Sequence, residues 1–107
     1  MAITVAIAAS SNGANQIVAA KAGKRYRVLA FQLSFSGTVN AKWQSAANDM
    51  TGLFYGVANI QVASPQVPTG AGNISVGQFT TNTNEALNLN LSAGVAVGGY
   101  VIYEETT

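Results

Sequence analysis

Apolar residues along this chain recur with a period of two, and no window carries the i, i+3, i+4 stripe of an amphipathic helix. Ala86 to Ser92 shows the pattern most cleanly, with Leu87, Leu89 and Leu91 on one face and Asn88, Asn90 and Ser92 on the other. Alternation of that kind is what a strand with one buried face needs, because successive side chains point to opposite sides of a sheet. Thr38 to Ser45 follows the same rule, with Val39, Ala41 and Trp43 inward and Thr38, Asn40, Lys42 and Gln44 outward. Ile3, Val5 and Ile7 open the chain in the same rhythm. The chain is therefore read as all-β.

Turn chemistry divides these runs. Ser10-Ser11-Asn12-Gly13 carries an Asn-Gly pair, and a short strand from Gln16 to Ala20 holds Ile17 before the Ala22-Gly23 turn. Arg25 to Ser36 is the longest strand. Its apolar positions are even at Tyr26 and Val28, then odd from Leu29 through Phe31, Leu33 and Phe35. That change of phase at Val28-Leu29 predicts a bulge or a segment buried on both faces. Ala46 to Thr51 reads as a loop with at most one helical turn, Gly52 to Val57 as a strand crossing the core, and Ile60 to Ala63 as another. Residues 64–73 hold both prolines and read as a long surface connection. Ile74 to Phe79 is a further strand, followed by the polar tract 80–84. Val95 to Tyr103 closes the chain, with Gly98-Gly99 marking a kink or a close backbone approach. The expectation is one domain over 1–107, with residues 1–9 as a candidate N-terminal arm. Its fold is a single antiparallel two-sheet sandwich, jelly-roll-like, of about eight strands.

Composition narrows the function. The chain is 49% hydrophobic and 8% charged, against about 25% charged in an average domain, which excludes disorder. Cysteine and histidine are both missing, and the carboxylates are Asp49, Glu85, Glu104 and Glu105. Disulfides, thiolate chemistry and the commonest general base and metal ligand are thereby excluded. No enzyme, cofactor, metal or small-molecule substrate is expected. Gly70-Ala71-Gly72 lacks the third glycine, the lysine and the helix of a phosphate loop. Asn73-Ile74-Ser75 and Asn90-Leu91-Ser92 match the glycan acceptor pattern, but residues 2–9 follow no basic segment and alternate as a strand, not a signal peptide. No apolar run approaches the length needed to span a bilayer. Trp43, Tyr55, Tyr100 and Tyr103 fit a sugar-stacking platform or ordinary packing. Packing is preferred, because Trp43 lies in the apolar phase of its strand.

Charge is unevenly spread. Lys21, Lys24, Arg25, Arg27 and Lys42 all precede the four acids, so the first part of the chain carries +5 and the remainder −4. Such a split suits head-to-tail docking between copies, basic patch against acidic patch, and it suits a solvated turn at 21–25 equally well. Arg25-Tyr26-Arg27 mixes base and aromatic as single-strand binders do, but the remaining bases are too few for a nucleic-acid partner. The last strand, VAVGGYVIYEE, is long and apolar on both sides, as if awaiting a partner.

Residues 19–45 (AAKAGKRYRVLAFQLSFSGTVNAKWQS) and 79–105 (FTTNTNEALNLNLSAGVAVGGYVIYEE) resemble a group of small virion proteins of tailed bacteriophages. The most specific pieces are AGKRYRVL, EALNLNLS and AVGGYVIY; residues 46–78 lie outside the resemblance. It implies a jelly-roll head decoration (cement) protein. Such a protein is made in the host cytoplasm, binds the major capsid protein on the outer surface of the assembled head as a homotrimer, and clamps the shell against internal DNA pressure. An initial Met and short length favour a separate polypeptide over the tip of a fibre. On this reading Ile3, Val5 and Ile7 of the N-terminal segment, or Val67 of the 64–73 connection, form the reaching arm. Arg25, Arg27 and Lys42 are candidates for contact with an acidic capsid surface. The alternative is a receptor- or carbohydrate-binding module of a phage tail or fibre, carried by the four aromatic residues.

Overall fold

The computed structural model describes residues 2–64 and 78–107. Val67, both prolines and most of the expected Ile74–Phe79 strand lie outside the described residues. The strands are β1 (Ala2–Ala9), β2 (Gly13–Val18), β3 (Arg25–Phe35), β4 (Val39–Ser45), β5 (Asn48–Asp49), β6 (Phe54–Gly56), β7 (Ile60–Ala63), β8 (Phe79–Thr80), β9 (Leu87–Leu91) and β10 (Val97–Thr106). Among the described residues there is no helix.

Two five-stranded antiparallel sheets result. The first runs β1-β10-β3-β7, with β8 also on β3; the second runs β2-β9-β4-β5, with β6 also on β4. Pairing is nested: the first strand lies beside the last, β2 beside β9, β3 beside β7 and β8, and β4 beside β5 and β6. A long hairpin rolled so that its arms alternate between two sheets is a jelly roll. The count exceeds eight because β5 and β8 are two residues each, too short to leave a periodic trace in sequence.

Alternation sets the core. Val39, Ala41 and Trp43 of β4 and Leu87, Leu89 and Leu91 of β9 are 2% exposed or less, and they cluster with Phe31, Leu33, Phe35, Val97 and Val101 of the other sheet. Each such aliphatic side chain stabilises the fold by about 1.5–3 kcal/mol relative to full exposure. Trp43 meets Phe31 edge-on at 5.5 Å between ring centroids and lies 6.2 Å from Phe79. Among the described residues its Nε1–H has no hydrogen-bond partner, so the ring contributes through packing. Gln44 keeps the outer face that its phase gives it, opposite Asn88, yet it is covered there. It is buried, donating to Asp49 Oδ1 at 2.8 Å and accepting from Asn90 Nδ2 at 3.2 Å.

The phase change in β3 is a bulge. Ile102 pairs with Ala30 and Tyr103 with Val28, so Leu29 is passed over. Tyr26 and Val28 on one side of it, and Phe31, Leu33 and Phe35 on the other, all reach the same core. Gly99 is the close approach expected of its pair: φ is 129°, and a Cβ there would overlap the carbonyl oxygen of Gln32. Gly98 has room, its nearest atoms being 3.6 and 3.7 Å from a built Cβ.

Three expectations change. Gly52–Val57 does not cross the core; only Phe54–Gly56 is a strand, at an outer edge of the second sheet, with Tyr55 turned to solvent. The last strand is not an exposed edge, since β10 lies between β1 and β3. Residues 2–9 are held against β10 along their whole length, so this segment is a strand and not a loose arm.

Candidate docking surface

The fold brings the separated charges together at one end of the sandwich. Arg25 and Arg27 begin β3 beside the end of β10, which carries Glu104 and Glu105. Arg27 Nη1 donates to Glu104 Oε1 at 2.8 Å, and Lys21 Nζ lies 3.4 Å from Glu105 Oε2. Lys42 Nζ is 3.1 Å from Asp49, and Arg25 Nη2 donates to Thr83 Oγ1 at 3.2 Å. Every described ion pair joins a base of the first part of the chain to an acid of the second. Three of the five bases thereby spend their charge on acids of their own chain. Arg25, Arg27 and Lys42 are engaged with their own chain.

Polar loops at this end are tied down tightly. Ser45 Oγ donates to Glu85 Oε1 at 2.5 Å while accepting from the Asn82 amide at 2.9 Å. Asn82 Nδ2 adds a bond to Glu85 at 3.0 Å. The Ser45 hydroxyl first and Asn82 second hold the Glu85 carboxyl below its ordinary range. Gln44 and then Lys42 do the same for Asp49. Thr81 exchanges bonds with Tyr26 through its amide and hydroxyl, both at 2.8 Å, and Asn84 Oδ1 accepts from the Gly23 amide at 2.6 Å. The tract 80–84 is therefore a set of clamps for the Lys21–Arg25 turn. Burial raises the Tyr26 and Tyr103 hydroxyl pKa values.

The opposite end carries no charge. It is built from the connections 10–12, 36–38, 57–59 and 92–96, none of which contains Lys, Arg, Asp or Glu. Residues 50–84 likewise hold no charged residue. Leu53, Tyr55, Val57 and Ile60 are exposed along this uncharged interval, Tyr55 by 74%. The reason is local. Phe54 turns inward to lie 5.5 Å from Phe31, and Gly56 lies against the Phe35 ring where a side chain has no space. Tyr55, between them, must point out.

Ile60 leads into an open trough of about 690 Å³ across this end of the first sheet. Ala8, Gly98, Ser34 and Gln61 are successive cross-strand neighbours there, and Gly98 leaves space between the strands on either side. Ser34, Ser36, Asn59 and Gln61 supply neutral hydrogen-bonding groups, and no titratable side chain lines the trough. The surface can therefore dock a neutral, partly apolar partner and offers nothing for proton transfer. Among the described residues no three His, Cys, Asp or Glu side chains come together as a metal site.

Of the arm residues, Ile7 is core at 4% exposure, Val5 is partly buried, and only Ile3 is exposed. The aromatic set does not form a platform. Trp43 and Tyr103 are buried, Tyr100 belongs to β10 in the first sheet, and Tyr55 to β6 in the second. The residues that sequence reasoning missed as a surface are Leu53, Tyr55, Val57 and Ile60. Their signal was the uncharged interval 50–84, not any motif.

A jelly-roll sandwich with one charged and one uncharged end is the class that fold and surface define. No protein-family model matches the chain, and no curated protein matches it.

Proposed function

We propose that this protein is a bacteriophage head decoration (cement) protein that docks on the outer surface of the assembled shell through its uncharged end. The observation that carries the reading is the exposure of Tyr55, Val57 and Ile60 along the β6–β7 flank, within an interval of the chain, 50–84, that holds no charged residue. Monomeric soluble proteins rarely leave such patches uncovered, and tyrosine is among the residues that most often dominate binding. The resemblance of 19–45 and 79–105 to phage virion proteins supplies the partner class, a capsid shell.

Stabilisation follows from mass action: a protein that binds the assembled shell and not its separated subunits lowers the free energy of the shell. Each bound copy adds its own term, so the stabilisation of the shell grows with the number of copies it carries. The test is to add purified protein to heads of the phage that encodes it, prepared without it. Saturable binding and a higher disruption temperature are expected. No binding at micromolar concentration removes the reading.

A further inference from the structure

β1 presents an edge unlike those of the other outer strands. It runs eight residues in unbroken register against β10, from Ala2 opposite Glu104 to Ala9 opposite Val97, and no other described strand pairs with its far side. It contains neither charge nor proline. Sheets ordinarily blunt their edges with short strands, charges, prolines or bulges, because an open edge templates another strand. The remaining outer strands are blunted. β5, β6, β7 and β8 have two, three, four and two residues. β2 skips Ile17 in its register, and Asn15 Nδ2 turns back onto the carbonyls of Ser11, Gly13 and Leu89.

Both faces of β1 suit a partner. Ala2, Thr4, Ala6 and Ala8 on the outer face are small and exposed. On the inner face Ile7 is core, but Ile3 is 36% exposed and Val5 only partly covered. The apolar inner row thus runs past the cover that its own chain supplies.

We propose that the β1 edge is completed by β1 of a second copy, antiparallel, making one sheet continuous across two chains. A strand that fits must be extended, uncharged and as long as the edge, and β1 itself is the described strand with all three properties. Paired residues share a face, so the register must match inner with inner positions. Centring the axis on Val5 sets Ile3 opposite Ile7 of the second copy and Thr4 opposite its Ala6, covering the exposed apolar row. The antiparallel sense sets the Arg27–Glu104 end of each chain beside the uncharged end of the other. The contact is isologous, so it gives a two-fold pair and not the trimer that the sequence resemblance implies. The pairing leaves the β6–β7 flank bearing Tyr55 and Ile60 free, because β7 lies at the opposite edge of the first sheet from β1.

Native mass spectrometry and sedimentation of the full chain test this directly. The wild type is expected to run as two copies at micromolar concentration. Ala6→Lys and Ala6→Glu, each alone, are expected to lose the pair as like charges meet near the axis, and an equimolar mixture of the two is expected to restore it. Thr4→Lys and Thr4→Glu repeat the test at a second exposed position should either Ala6 variant fail to fold. A wild type found as a single copy or a trimer, or an Ala6→Lys protein that still pairs, overturns the proposal.

Discussion

Arg27 of β3 and Glu104 of β10 face each other across adjacent strands with 2.8 Å between nitrogen and oxygen, although 77 positions separate them in sequence. The pair shows what folding does to the charge split: it folds the two signs onto each other. Both side chains retain solvent contact, so the bridge contributes little, about 0–1 kcal/mol. Arg27→Gln is expected to lower stability by no more than that in denaturant unfolding and to leave shell affinity unchanged. A large loss of shell affinity would return the charged end to the docking role.

Trp43 fills the centre of the sandwich. Trp43→Ala is expected to cost about 3–5 kcal/mol, the usual cost of deleting a large buried ring. Trp43→Phe is expected to cost less than Trp43→Ala, because it keeps an aromatic ring beside Phe31 and removes the unpartnered indole N–H. Urea unfolding followed by circular dichroism measures both.

Two neighbouring glycines are expected to behave oppositely. Gly98→Ala places its methyl 3.6 Å from Ser34 Oγ and 3.7 Å from the Ile7 carbonyl, ordinary contact distances. Its stability is expected to change by no more than about 1 kcal/mol. Gly99→Ala has positive φ and a clash with the Gln32 backbone, so its loss is expected to exceed the ~1 kcal/mol typical of a simple propensity change. Comparing the two unfolding midpoints checks the pair.

The carboxylates Glu85 and Asp49 set the acid limb of stability. Their folded pKa values are depressed, by the Ser45 and Gln44 hydrogen bonds before all else. Depressed values mean that the unfolded chain takes up protons first as pH falls. Their stabilisation is therefore complete above the ordinary carboxylate range and declines as pH drops through it towards the folded values. Glu85→Gln is expected to flatten that limb in a series of thermal melts against pH. At the alkaline side, the raised Tyr26 and Tyr103 pKa values mean stability is lost as pH climbs above about 10.

Much of the sandwich was legible because its signal is local. The alternation at 39–45 and 87–91 named the core side chains of β4 and β9, and the switch of phase at Val28-Leu29 marked the bulge that Ile102 and Tyr103 straddle. The surface was less legible, since exposure depends on contacts distant in sequence. Phe54-Tyr55-Gly56 looks like a buried run until Phe35 is found lying against Gly56. Arg27, Lys42 and Arg25 looked available until Glu104, Asp49 and Thr83 were found opposite them. Short strands such as β5 carry no period at all.

The most direct test of the docking claim is titration of undecorated heads with three proteins: wild type, Tyr55→Lys and Lys24→Glu. Tyr55 is exposed, so its replacement leaves the core intact, and Lys24 lies at the charged end. Wild type and Lys24→Glu are expected to bind alike and to tolerate added salt, while Tyr55→Lys binds at least about tenfold more weakly, the loss of a ≥1.4 kcal/mol anchor. Unimpaired binding by Tyr55→Lys together with loss in Lys24→Glu would contradict the account.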